Sequence, residues 1–375
     1  MNNEMQLSLD KEQELRRQYL VSLKRFANLT LPADLRSLSH DKHETALAAE
    51  LNRPLEQTNP DDRALLAERV TQEPLYKAWE AMTYVSQGMM WDLVSDIIAE
   101  DLPRLTETAE RLSQTTPAGG SLKLNPDIEL PPTIANYEIH RQPGGFTYES
   151  GEDDLTAGAF YAGASLVYGP GKRAGTPIGY GAGDFVVNQV KERFPGFEPK
   201  TILDVGCGAG RNTVAFPMAY PAATTTAIDC AAGLLRYAHA HAEAAGAPIH
   251  FRQMNAEQMD FEDESFDLVV STILGHETSP EGLPKVLAEC WRVLKPGGVI
   301  LHMDVPIQTS RIGLADQILQ DWQVEHNGEP FWTGWAEANL PELMIAAGYP
   351  KDRVFAEHAA AGGGAVWFVH GASKP

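Results

Sequence analysis

The stretch Thr201-Ile-Leu-Asp-Val-Gly-Cys-Gly-Ala-Gly-Arg-Asn-Thr213 decides the fold of this 375-residue chain. Its apolar start reads as a buried strand, and glycines at 206, 208 and 210 make a turn, with a helix expected beyond it. Glycine has no Cβ and tolerates positive φ, so such a turn lets backbone N–H groups and a helix N-terminus come close to a ligand. A dinucleotide fingerprint G-x-G-x-x-G would need its third glycine at 211, where this chain has Arg. A P-loop is excluded because no Gly-Lys-Ser/Thr follows. Outward from the turn, Thr224-Thr-Thr-Ala-Ile-Asp-Cys230 reads as the next strand, and Asp229 at its tip lies 19 residues beyond Gly210. A carboxylate there can accept hydrogen bonds from both hydroxyls of a ribose.

The alternation continues in step. Leu234, Leu235, Tyr237, Ala238 and Ala242 suit a helix that stops near Gly246, a C-cap residue. Ile249 to Asn255 reads as a third strand, and Ser265-Phe-Asp-Leu-Val-Val-Ser-Thr272 as a fourth, apolar enough for burial on both faces. A helix from about Ser279 to Leu294 and the turn Lys295-Pro-Gly-Gly298 then precede the strand Val299 to Asp304. Residues 353–359 and 365–369 suit a closing antiparallel pair. Strands alternating with helices at this spacing predict an α/β fold around a mostly parallel sheet.

Five ordered blocks carry a family resemblance: Leu-Asp-Val-Gly-Cys-Gly-Ala-Gly (203–210), Ala-Ile-Asp (227–229), Asn-Ala-Glu (255–257), Ser-Phe-Asp-Leu-Val-Val (265–270) and Arg-Val-Leu-Lys-Pro-Gly-Gly (292–298). With them, residues 180–375 resemble the class I S-adenosylmethionine-dependent methyltransferases, in particular the ubiquinone/menaquinone-type branch acting on small molecules. The resemblance implies a Rossmann-like sheet and S-adenosylmethionine as cofactor, with S-adenosylhomocysteine as product. It places the backbone at Gly206, Gly208 and Gly210 beside the methionyl part and ribose, with Cys207 in the same turn. It gives Asp204 the amino group, Asp229 the ribose diol, with Cys230 next to it, and Asn255, Ala256 and Glu257 the adenine end. Position 255 is Asp in many relatives, yet an Asn carbonyl can still accept from the adenine amino group. The carbonyl of Thr272 or Ile273 would face the ligand at the end of the fourth strand.

Methyl transfer from a sulfonium needs an acceptor held in line and a lone pair freed on it. His276 and Glu277, in Thr272-Ile-Leu-Gly-His-Glu277, leave the fourth strand at the cleft mouth and are the candidate base pair. Asp304 after the fifth strand is a lesser candidate. His40, His43, His239 and His241 read as surface helix residues. The later strands lack the Asp-Asn pairing of metal-dependent catechol-type sites, so no metal is expected.

Residues 1–116 read as helices broken at Pro32, Pro54, Pro60 and Pro74, serving as a lid or a homodimer surface. Leu15, Tyr19, Leu23 and Phe26 form one apolar stripe, and Leu75, Trp79, Met82, Val85, Met89, Leu93 and Ile97 a longer one. Residues 117–179 form a Pro/Gly-rich connector that leads into a segment covering the cofactor, with Tyr161, Tyr168 and Tyr180 as candidate contacts. Trp322 and Trp332, in the insertion after the fifth strand, are candidate walls for a small organic acceptor. A formal charge of −21 opposes sequence-independent binding to nucleic acid. The three cysteines have no metal-ligand spacing and read as reduced thiols. No apolar run approaches a membrane span, and a cytoplasmic protein is expected.

Overall fold

The computed structural model describes residues 3–135, 137–172, 181–361 and 365–375. Its centre is an eight-stranded sheet: β1 (Ser121–Lys123), β2 (Thr201–Val205), β3 (Thr224–Asp229), β4 (Ile249–Gln253), β5 (Phe266–Thr272), β6 (Leu294–Asp304), β7 (Phe355–Ala360) and β8 (Val366–Ser373). The spatial order is β1-β4-β3-β2-β5-β6-β8-β7. Neighbours from β1 to β6 pair parallel, while β8 runs antiparallel to both β6 and β7. The chain therefore winds outward from β2 through β3 to β4, then returns to β5 and β6 on the other side. That reversal between β2 and β5 opens a crevice at their carboxyl ends, where ligands of such sheets bind.

Burial explains why these segments are strands. Ile202, Leu203 and Val205 of β2 and Leu268, Val269 and Val270 of β5 are fully enclosed, divided between clusters on the two faces of the sheet. Parallel strands need such cover on both sides. The Lys295-Pro-Gly-Gly298 turn lies inside β6 as an excursion: Phe266 faces Leu294 but Leu268 already faces Val299. The helix ahead of β6 is Leu283–Val293, shorter than the expected Ser279–Leu294, because Pro284 fits only its first turn.

The N-terminal helices depart further from the sequence reading. Helix Lys11–Arg25 is closed at its start by Asp10 and Gln13 in a capping box. It continues with helical backbone through Leu31–Leu38 to Thr45–Leu51, so Pro32 does not end it. A widened π turn at Phe26–Thr30 absorbs the N–H that proline lacks. Pro60 and Pro74 do mark breaks, each in the first turn of its helix, Pro60–Val70 and the 42-residue Pro74–Thr115. The stripe of Leu15, Tyr19 and Phe26 faces outward, while Leu20, Val21 and Lys24 turn inward. That rotation buries Leu20 and Val21 in the core and lets Lys24 Nζ donate to the buried Gln87 Oε1 at 2.7 Å.

Leu20, Trp91, Ile97, Phe160, Val167 and Tyr237 share one buried cluster. It joins helices Lys11–Arg25, Pro74–Thr115, Thr156–Lys172 and Ala232–Ala245. A second cluster joins Leu35, Leu66 and Trp79 to Trp322 of helix Leu314–His326. The Pro/Gly-rich connector is tied down as well: it supplies β1, and Glu243 accepts the N–H groups of Ala118 (2.6 Å) and Gly120 (2.7 Å). Among the described residues no helix is long and apolar enough to cross a membrane.

Candidate active site

Beyond β2 the chain turns at Gly206, Gly208 and Gly210, with φ of 70°, 53° and 73°. Gly210 is required twice over, because a Cβ there would also lie 2.8 Å from that of Ala238. The N–H groups of Gly206 and Cys207 both donate to the Ile228 carbonyl of β3, folding the turn back over the sheet edge. The helix expected next is only Ala215–Ala219, so the close backbone approach comes from the turn and not from a helix end.

Asp229 closes the turn from β3. Its Oδ2 accepts from the Gly208 N–H at 2.9 Å and its Oδ1 from the Ala231 N–H at 3.0 Å. Burial pushes its carboxyl pKa up, against the pull of these backbone donors. Asp204 lies behind the turn, 1% exposed, its Oδ2 accepting from the Thr213 hydroxyl at 2.6 Å. Its Oδ1 has no hydrogen-bond partner, and burial lifts the carboxyl to about 7 despite the Thr213 hydroxyl. Burial likewise pushes the free thiols of Cys207 and Cys230 well up.

The glycine turn borders a cleft open to solvent. Asp229, Cys230, Asn255, Ala256 and Glu257 line it together with Phe146, Tyr161, Leu274 and Glu277. Tyr161 lies over Gly208 and meets Phe146 edge to face at 5.7 Å. Ile273 lines the cleft with φ +64°, a strained value for a β-branched residue; Thr272 does not line it. That kink takes the chain out of β5 into the tight turn Gly275–Glu277.

His276 on this turn is 2% exposed. Its Nδ1 lies 2.6 Å from Asp304 Oδ1 at the end of β6, and Asp304 Oδ2 accepts the Gly275 N–H at 2.6 Å. Its Nε2 is 3.5 Å from Glu277 Oε1. Glu277 also meets His140 Nε2 at 3.0 Å, and His140 Nδ1 meets Glu329 Oε1 at 2.5 Å. Burial opposes charge on both imidazoles, yet Asp304 and Glu277 hold His276 well above its usual pKa, and Glu329 and Glu277 do the same for His140. Burial would raise Glu277, but His140 and His276 bring it down to about 2.

Residues 202–298 match the model of a family described as a methyltransferase domain. That stretch, from β2 to the turn inside β6, is similar to a methyltransferase domain. The chain is similar to the ubiquinone biosynthesis O-methyltransferase of Maricaulis maris, 37% identical over 121 residues, which are 32% of this chain and 46% of that protein. It is also similar to the enzyme of that name from Pseudomonas savastanoi, 38% identical over 121 residues, 32% of this chain and 50% of that protein. The chain thus spans about half the length of these curated relatives. The structure of a putative S-adenosyl-L-methionine-dependent methyltransferase from Methanococcus maripaludis superposes with a TM-score of 0.40 at 18% identity, covering 61% of this chain and 97% of that one. That likeness is too distant to bear on function.

The residues around the turn fit S-adenosylmethionine, the cofactor that the sequence resemblance implies. Asp204 Oδ1, buried and without a partner, suits a cationic amino group, and the half-buried carboxylate of Asp229 on the cleft wall suits hydroxyl donors. Of the aromatic candidates, Tyr161 lines the cleft, while Tyr180 lies outside the described residues. Tyr168 is set behind it, against His140 with ring centroids 6.2 Å apart. Trp332 packs edge-on to His276 at 5.3 Å and does not line the cleft. Trp322 is no pocket wall: it lies in the core between its helix and the N-terminal helices. His43 and His239 are buried, beside Glu73 at 2.7 Å and Glu243 at 3.7 Å, not surface residues. His140 escaped the sequence reading because it lies in the connector with no motif around it; its left-handed backbone, φ 56°, is visible only in three dimensions.

Proposed function

We propose that this chain transfers a methyl group from S-adenosylmethionine to a small organic molecule, at oxygen. One observation carries the reading: the cleft bordered by the glycine turn and Asp229 reaches Glu277, the cleft-lining member of a buried imidazole–carboxylate cluster. The donor supplies a methyl carbon already activated by a positively charged sulfur. The chain's own task is to orient the acceptor, exclude water and take up the proton that an acceptor hydroxyl must lose. Phe146, Tyr161 and Leu274 give the cleft apolar walls that suit a flat organic acceptor. Asp304 fixes the Nδ1 side of His276, leaving Nε2 to exchange a proton with the Glu277 side of the cleft.

A labelled-methyl donor, incubated with fractionated small-molecule extracts and followed by mass determination of the product, tests the reading. Label entering only protein or RNA would overturn it. His276→Ala should lower kcat by about 10²–10⁴-fold and leave the affinity for S-adenosylhomocysteine within twofold. The pH profile has a defined sign. Because the His276 pKa stands well above 6.5, its neutral form grows as pH rises beyond that value, and kcat should climb on the alkaline side. In His276→Ala that rise should disappear; a fully active variant removes His276 from the chemistry.

A further inference from the structure

We propose that His140, His276, Glu277 and Glu329 bind a divalent first-row transition-metal ion in the buried cluster of which Glu277 lines the cleft, Zn2+ being the ion that their mixed nitrogen and oxygen donors suit best. The proposal rests on the cluster named in the methyl-transfer reading, with His276 Nε2 taking a proton in the metal-free chain and giving its lone pair to the ion when one is bound. One donor atom from each of the four residues lies within 4.8 Å of the others.

Three separate segments deliver these donors, and the approach is built in. Gly328 brings the loop carrying Glu329 against the turn carrying His140: a Cβ there would lie 2.7 Å from the Glu138 carbonyl. Gly275 leaves room for Trp335 beneath the turn that carries His276 and Glu277, where a Cβ would lie 2.3 Å from the indole. His140 and Arg141 are held at φ 56° and 58°, a conformation side-chain-bearing residues seldom adopt without compensation.

The unsatisfied atoms point the same way. Glu329 is 1% exposed, and neither of its oxygens has a hydrogen-bond partner; its 2.5 Å approach to His140 Nδ1 lacks hydrogen-bond geometry. Glu277 Oε2 and His140 Nδ1 are likewise buried without a hydrogen bond. These residues meet one another as ion pairs, the atoms just named without hydrogen-bond geometry, and a cation between them would engage their lone pairs together. Asp304 supplies the usual outer partner of a metal-bound histidine: it holds Nδ1 of His276 at 2.6 Å, which aims the Nε2 lone pair inward. Glu277, Glu329 and Asp304 give three carboxylates around two imidazoles, a charge balance that favours a divalent cation. The sequence alone led to the opposite expectation, because His140 and Glu329 lie 136 and 53 residues from His276 with no shared motif.

The test uses the full chain, stripped with chelator and titrated with Co2+ alone. A ligand-field absorption should grow to one equivalent and be displaced by Zn2+. Glu329→Gln and His140→Ala should each weaken Co2+ binding by at least tenfold, and Asp304→Asn by about 10–100-fold. Glu80→Gln should leave it unchanged, since Glu80 belongs to a separate, surface group with Glu325 and His326. Each variant is first checked for S-adenosylhomocysteine binding by calorimetry, and Glu277→Gln replaces any that does not fold. The proposal is overturned if the wild-type chain binds S-adenosylhomocysteine but takes up no Co2+, or if Glu80→Gln abolishes the signal and Glu329→Gln spares it. Neither readout requires methyl transfer, so failure of this site and failure of the methyltransferase reading are separable.

Discussion

Asp229→Ala should weaken S-adenosylhomocysteine binding by more than a hundredfold, measured by calorimetry on the folded chain. Two effects combine. The ribose position loses an acceptor, and the N–H groups of Gly208 and Ala231 lose the carboxylate that holds the turn at 2.9 and 3.0 Å. Hydrogen bonds to a charged group contribute roughly 1.5–3 kcal/mol each, so losing two of them costs about 3 kcal/mol or more. Asp229→Asn keeps one acceptor oxygen and should fall between wild type and alanine. Affinity unchanged in the alanine variant would remove Asp229 from the cofactor site and with it the assignment of the cleft.

Asp204→Asn should do two opposite things. Burial places the Asp204 carboxyl at about 7 in the folded chain, against an ordinary value of 3.8. A carboxyl raised in this way favours folding while it is protonated, and that advantage is lost as pH rises from about 4 through 7. Above 7 the buried charge costs the free protein on the order of 4 kcal/mol, an upper figure. The asparagine variant should therefore melt at a higher temperature than wild type at pH 8, with the difference fading below pH 4. Affinity should move the other way. A carboxylate meeting the cofactor's ammonium is worth tenfold to a hundredfold, so the variant should bind S-adenosylhomocysteine more weakly by about that factor. Wild-type affinity should also fall by roughly tenfold per pH unit below 7, and the variant's should not. Equal melting temperatures at pH 8 would show that the ionised carboxylate is already compensated where it lies.

What the sequence disclosed was local. The glycine turn, Asp229 and strands β2 to β5 could be placed within a residue or two because period, apolar runs and turn residues act over short distances. The cleft lining formed by Asn255, Ala256 and Glu257 belongs to the same class, since it directly follows β4. Other features depend on contacts between distant segments. The periodicity of Leu15, Tyr19, Leu23 and Phe26 is real, but which flank of that helix faces inward shows only in the folded chain, where Leu20 and Val21 enter the core and Lys24 reaches Gln87. Trp322 looked like an acceptor wall because aromatic residues around a cleft and in a core have the same composition. That Asp204 lies behind the turn with Thr213, one oxygen left without a partner, shows only in three dimensions. The His140–Glu277–His276–Asp304 chain links the connector, the end of β5 and the end of β6, and no spacing rule spans such gaps.

The three residues of β1 have a further consequence. By lying alongside His250, Phe251 and Arg252, they occupy a sheet margin that would otherwise present open backbone to a neighbouring molecule. So short a strand, tethered by Glu243 next to it, offers little template of its own. The Pro/Gly-rich connector therefore also acts as a guard against intermolecular strand addition and the aggregation that follows from it.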